Sequence, residues 1–340
     1  MSNLIEYLKN NWRIVALVFG AALLVVSTGA FFLLANLHNQ SLIVAPTASE
    51  NTNVASPAAT PRTYTDLYAV SIDNHVDARP ASGIDQAAFV YEAPVEGGIT
   101  RFLAFFERGV QAPKIGPVRS VRLYFLDWIT SWGTVKFFHF GGSPEAMNKI
   151  SATSSLTAAN VDGATMGGDT FSRDPGQSAP HNAYISSDSV EKILAGNANA
   201  VSVTAWPMAN DPDMSARGAD GGKVAAPLSD LAAYSPVWVY SSATNLYTRT
   251  VGGKVEKTSD GAVITAKNVV VISTDISVID AEGRLKITTA GKGNAIIYRN
   301  GQTENVTWQT DGTTPPHFYE SDGSEAALTT GNVWIEIVKK

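Results

Sequence analysis

Apolar residues run almost unbroken from Ile14 to Ala35, with no charge and only small residues and Ser27-Thr28 between them. A run apolar on every helical face, and long enough for the roughly 20 residues a bilayer needs, predicts a transmembrane helix, assigned to 14–37. Lys9 and Arg13 precede it and no Lys or Arg follows until Arg62. The positive-inside bias therefore predicts a cytoplasmic tail, 1–13, with the rest of the chain outside. No small-x-small cleavage site precedes a charged mature start, so the helix reads as an uncleaved anchor. Gln40–Thr63 is rich in Ala, Thr, Ser, Asn and Pro and has no period, which predicts a disordered tether over 38–64.

Beyond the tether, short apolar runs alternate with turn residues. Leu67–Ile72, Ala87–Tyr91 and Thr100–Glu107 read as strands, the last two joined through Glu96-Gly97-Gly98, where glycine supplies a positive φ. Pro117 suits the first turn of a helix running to about Trp132, with Val121, Phe125, Trp128, Ile129 and Trp132 on one face. Val135–Phe140 reads as a strand. A helix through Ile150 follows, capped by Ser143, with Pro144 at its first position and Glu145 favouring its dipole. Ala158–His181 is glycine-rich and polar, a functional or mobile loop. Tyr184–Leu194 reads as a short strand or turn and then a helix with Ser187 or Asp188 as its cap.

From Asn199 strand signals dominate: Val237–Tyr240, Asn245–Val251, Val269–Ser273, Leu285–Thr288, Asn294–Arg299, Asn305–Trp308 and Val333–Val338. Asp260-Gly261, Asn300-Gly301 and Asp322-Gly323 punctuate them in the manner of hairpin turns. The fold class expected is an α+β or α/β extracytoplasmic N-terminal domain, 65–198, followed by an antiparallel β-rich C-terminal domain, 199–340.

Polar and charged residues interrupt the apolar runs most densely between Val70 and Tyr124, the pattern of a site. Asp73, Asn74 and Arg79 end one run, Glu92 and Glu96 lie between two more, and Arg101, Arg119 and Arg122 follow. Arg119 and Arg122 near a helix N-terminus would make an anion site. Paired with Glu92, Glu96 or Asp73 they would be structural ion pairs, and the residues leave both readings open. Phe171, Arg173, His181 and Asn182 belong to a loop that would approach the arginines from above. Ser143 follows Gly141-Gly142, and such a turn can cradle phosphate. This one carries no Lys and is not a Walker A sequence, so an ordinary strand-to-helix turn is the better reading.

Composition narrows the chemistry. The net charge of −6 argues against broad nucleic-acid binding. The absence of cysteine excludes disulfides, thiol catalysis, thiolate-bound zinc and a lipid-modified N-terminal Cys. The five histidines are scattered and none forms a spaced ligand pair, so metal hydrolysis through His75, His139 and His181 is a minor reading and no metal is expected. No cofactor is implied. Ser120 and Ser143 lack a nucleophile-elbow setting. Trp238, Trp308 and Trp334 read as core or edge aromatics rather than sugar platforms.

The segments SIDNHVDARPASGIDQAAFVYEAPVEGGITRFLAFF, KIGPVRSVRLYF, FGGSPEA, APHNAY, ITAKNVVV, GKGNAIIYRNGQ and GNVWIEIV together resemble the DUF3048 family of bacterial envelope proteins, over nearly all of Leu67–Val338. The resemblance implies an extracytoplasmic protein with charged motifs in its N-terminal part and a β-rich C-terminal part. It implies no established activity. With no Cys to carry a lipid, the helix at Ile14–Ala35 would do the tethering. The function expected is a membrane-anchored envelope protein. Its Arg/Glu/Asp-lined cleft would bind an anionic cell-wall polymer, a lipid-linked precursor or an envelope protein. The alternative is a phosphotransferase on polyprenyl-pyrophosphate-linked polymers. Its order of motifs, a strand ending in Asp, an Arg loop, a strand and then Gly-Pro-Val-Arg-Ser-Val-Arg, is similar to that of the LytR–CpsA–Psr transferases. Asp73, or a carboxylate of Glu92 or Glu96, would then bind a cation or act as base.

Overall fold

A computed structural model describes residues 59–166, 169–196 and 201–340. The expected cytoplasmic tail, transmembrane helix and most of the tether lie outside them. Among the described residues no helix is long and apolar enough to cross a membrane.

Ten strands form the central sheet: β1 (Leu67–Asp73), β2 (Phe89–Pro94), β3 (Thr100–Glu107), β4 (Lys136–His139), β5 (Asn160–Asp162), β6 (Asn268–Thr274), β7 (Gly291–Arg299), β8 (Gln302–Thr310), β9 (His317–Tyr319) and β10 (Val333–Lys339). Their order is β9-β8-β7-β6-β10-β2-β3-β1-β4-β5. The strands of 199–340 therefore do not make a separate antiparallel unit. The last strand, β10, enters between β6 and β2 and runs parallel to both. Trp334, Ile335 and Ile337 are buried there, and only an interior position of a two-sided sheet can bury so continuous an apolar run. β1, β2, β4, β5, β6 and β10 all run one way, with β3 and β7 against them.

Strand alternation sorts side chains onto two cores. One face carries Leu67, Ala69, Phe89, Tyr91, Leu103, Phe105, Val270, Ile272, Ile335 and Ile337. It is covered by helix α1 (Leu123–Ser131), whose Phe125, Trp128 and Ile129 are buried, as the helical period predicts. The other face carries Tyr68, Val70, Ile72, Val90, Phe102, Ala104, Val269, Val271 and Trp334. It packs under a small sheet built from residues 223–225, 237–241, 246–251, 254–255 and 265–266. Helices α2 (Pro144–Ala152), α3 (Ser154–Ala159) and α4 (Ser187–Ala195) are short. Ser143 caps α2 as expected, whereas α4 is capped by Ser186, one residue before the first expected cap. The Asn300-Gly301 turn joins β7 to β8 with both residues at positive φ, as a two-residue hairpin needs.

Two expectations are corrected. The tether ends before residue 64: Thr60–Thr65 is a strand paired with Ser202–Ala209. Fully buried Tyr64 packs edge-on against Phe89, Trp132 and Trp206, so an aromatic anchor fixes chain that composition alone reads as loose. The helix expected from Pro117 begins only at Leu123, with Arg122 as its N-cap. Residues 115–122 form an extended strap, because their backbone groups are taken by other segments. Ile115 exchanges hydrogen bonds with Ile185 and Gly116 with Ser82; Pro117 accepts from Asp73; Val118 donates to Ala183, Arg119 to Ser71 and Val121 to Gly141. These partners come from four separate segments on both sides of the strap, which an extended backbone can reach and a helical turn cannot.

Gly116 has φ 142°, and a Cβ there would meet Val118 N at 2.7 Å and Ala183 O at 3.0 Å. Gly116→Ala is expected to lower stability by at least about 2 kcal/mol, from backbone strain and displacement of the strap. The urea midpoint of the variant against wild type measures it.

Candidate functional site

The C-terminal ends of the parallel strands bring Asp73, Glu92, His139 and Asp162 to one edge of the sheet. Strand parity then divides the candidates. Ser71 and Asp73 share the face of Leu67 and Ala69, and Arg101 that of Leu103. Glu92 follows Val90 onto the opposite face, where Glu336 also lies. They are two clusters, not one cleft.

The cluster around Glu92 is buried structure. Glu92 is fully buried and accepts from Arg249 Nη2 at 2.7 and 2.9 Å, Thr100 Oγ1 at 2.7 Å and Asn74 Nδ2 at 3.2 Å. Fully buried Arg249 also pairs with Glu256 and lies among the rings of Phe102, Trp238 and Trp334. Arg79 donates to Asn74 Oδ1 at 2.9 Å and to the Ala233 carbonyl at 2.7 Å. Trp238 Nε1 donates to Glu336 at 2.8 Å. Burial, and then the Glu92 charge, push the Glu336 carboxyl well up, against the pull of Arg249. Asn74, Arg79 and Glu92 are thus committed to internal partners. Arg249, which sequence reasoning missed, stands alone in an apolar strand pattern, and a buried charge there needs a buried counter-charge.

The cluster around Asp73 faces solvent. Its carboxylate, almost wholly buried, accepts the His75 backbone N–H at 3.0 Å and His181 Nδ1 at 2.7 Å. Arg119 Nε lies 3.2 Å away, but outside hydrogen-bond alignment. Burial pushes the Asp73 carboxyl up; Arg101, the two hydrogen bonds and Arg119 outweigh it and hold the group below its ordinary value. Arg101, 5% exposed, donates Nη1 to the Ser120 carbonyl at 2.8 Å, and its Nε has no partner. Burial, with Arg122 and Arg119 beside it, pushes its pKa down to about 10, although Asp73 pulls the other way. Arg122 forms a two-pronged pair with Glu96, at 2.7 Å from both Nε and Nη2, which satisfies the ion-pair reading for those two residues. His75 stacks on His181, ring centroids 4.6 Å apart.

The other candidates are occupied locally. Ser143 Oγ accepts from Ala146 N as a helix cap. His139 is buried between the Gly141 carbonyl and Asn160. Arg173 donates to Asn182 and covers the Phe140 ring. A cavity of about 320 Å³, lined by Asp66, Leu67, Arg108 and Lys136 among others, opens at the opposite end of β1.

Two outcomes follow for the pairs. Glu92→Gln removes one of the two carboxylates that pair with the buried Arg249 charge, leaving Glu256, and is expected to cost about 2 kcal/mol. Glu336→Gln keeps the bond from Trp238 and is expected to be neutral at pH 7 or stabilising. Chemical denaturation of both variants compares them. For Glu96, burial raises the pKa, but its bonds and charge pairing with Arg122 lower it further, below the ordinary 4.5. Its contribution is then full above about 4.5 and lost as pH falls through the lower folded value. Glu96→Gln is expected to flatten the acid limb of stability against pH, measured between pH 6 and 3.

The sequence matches the two halves of one family, described as "Protein of unknown function (DUF3048) N-terminal domain" over residues 54–200 and "Protein of unknown function (DUF3048) C-terminal domain" over residues 226–335. It is 29% identical over 278 residues to "Putative lipoprotein YerB" of Bacillus subtilis (strain 168), covering 79% of this chain and 80% of that protein. The fold is similar to the crystal structure of the YerB protein from Bacillus subtilis, with a TM-score of 0.68 and 27% identity over 82% of this chain and 91% of that one. The chain belongs to the DUF3048 family.

Proposed function

We propose that this is a membrane-tethered protein of the bacterial envelope that binds an oxyanion, carried by a cell-wall polymer, a lipid-linked precursor or a partner protein, at the Asp73 cluster. The observation that carries the reading is the pair of guanidiniums at Arg101 and Arg119. Each has a buried Nε without a hydrogen-bond partner, and they lie beside a carboxylate that orients rather than fills them. Arg119 keeps part of its guanidinium at the surface, its side chain 26% exposed, and an exposed guanidinium edge is the forked geometry that phosphate and carboxylate groups fit. The tether would be the apolar run at 14–37, since the chain has no cysteine and cannot hold a lipid as the name of its Bacillus relative describes for that protein. The phosphotransferase reading draws on one further observation: the Asp73–His181 pair beside the arginines, an arrangement suited to proton transfer.

Calorimetric titration of the detergent-solubilised full chain with inorganic pyrophosphate tests the binding role. Binding at least about tenfold weaker in Arg119→Ala is expected, the loss of one charge-assisted contact. Arg108→Ala, which removes only a surface pair with Glu191, is expected to bind as wild type. No binding by wild type, or equal binding by Arg119→Ala, would sink the reading. Turnover of a polyprenyl pyrophosphate carrier that is lost in Asp73→Asn would favour the enzyme instead.

A further inference from the structure

Beside the arginines lies a donor set that chain order hides. One nitrogen each of His75 and His181 and one carboxylate oxygen of Asp77 all lie within 4.8 Å of one another. His75 Nδ1 is 3.5 Å from Asp77 Oδ2, close to the roughly 3.3 Å edge of a tetrahedron with metal–donor bonds of about 2.0–2.1 Å. His75 Nδ1 accepts the Asp77 N–H at 3.2 Å, so it is the unprotonated ring nitrogen, and an ion would take its lone pair in exchange for that one bond. His181 uses Nδ1 against the Asp73 carboxylate at 2.7 Å. The Asp73 carboxylate also accepts the His75 backbone N–H, so it is the acceptor here, Nδ1 donates and Nε2 is left to ligate.

We propose that His75, Asp77 and His181 form a binding site for a zinc-class divalent cation, with Asp73 as the carboxylate that orients His181. Two imidazoles and one carboxylate with the remaining position open to solvent are the donor set of an open zinc site, and imidazole nitrogen selects such ions over calcium or magnesium. A buried carboxylate behind the far nitrogen of a ligating histidine is the recurring support of such sites. The cap that His75 supplies to the turn at Val76–Ala78 accounts for His75 alone. It does not account for a second histidine, anchored from 108 positions away on a buried acid, stacked on the first. Side-chain rotation closes the set: Asp77 is 74% exposed, and both histidines are partly exposed. Asp73 and Asp77 offset the charges of Arg101 and Arg119, so the local field does not bar a dication. The proposal does not rest on the oxyanion reading, and it is tested without phosphate.

The test is equilibrium dialysis of the tag-free, chelator-stripped full chain in detergent against Zn²⁺. One ion per chain is expected. His75→Gln and His181→Gln are each expected to bind at least about tenfold more weakly, and Asp73→Asn about 10- to 100-fold more weakly, as loss of an orienting carboxylate does. His317→Gln, whose ring pairs with Glu325, is expected to bind as wild type. A second measurement needs no variant: Zn²⁺ is expected to protect His75 and His181 of the wild type from carbethoxylation and to leave His317 reactive. No bound ion in wild type, undiminished binding in both histidine variants, or equal reactivity of His75 and His181 with and without Zn²⁺ would each overturn the proposal.

Discussion

The contact between Glu92 and Arg249 holds the molecule to one arrangement. Both side chains are fully buried, and each would be ruinous alone in an interior of low dielectric. Glu92 comes from the middle of the central sheet and Arg249 from the small sheet laid over it, 157 positions apart. The pair fixes how the later half of the chain sits on the earlier half. Asn74, Thr100 and Arg79 are drawn in to complete the hydrogen bonding, and Glu336, on the strand beside Glu92, is held against its own ionisation. Once these residues are spent on internal partners, the loops after β1 are anchored from below.

The strap of residues 115–122 uses that anchored edge. It is extended because its backbone partners come from β1, from the 82–86 loop, from the strand at 183–185 and from the turn after β4. An extended backbone turns successive side chains to opposite sides. Val118 and Val121 enter the cores while Arg119 and Arg122 stay near the surface. The same strap places the Ser120 carbonyl where Arg101 can reach it. The solvent-facing cluster is thus built from a sheet end and a strap cross-linked to it, which hold its side chains in place.

Much of this was legible in the residues. Thr100–Glu107 is a strand over the range its pattern predicts, α2 carries the expected cap and proline, and the Asn300-Gly301 hairpin forms where its dipeptide stands. These are local matters of side-chain period and backbone φ, which neighbours in sequence decide. The helix expected at Pro117 failed because a proline compatible with a first turn is equally compatible with an extended strap. Only the partners that take the strap's hydrogen bonds chose between them. Tyr64 was read with the tether because its neighbours are polar, while its burial depends on Trp132 and Trp206.

The candidate residues divide along the same line. By itself the sequence determined that charge concentrates between Val70 and Tyr124, that no cysteine chemistry operates and that the chain carries the family's motifs, since these are properties of which residues are present. Only the tertiary structure decided that Glu92 and Asp73 face opposite ways, that Arg249 is the partner of the first and His181 of the second, and that His75 lies on His181. The physical reason is that sheet parity and long-range pairing set which side chains meet. A pairing across more than 100 positions leaves no trace in the local period of either segment.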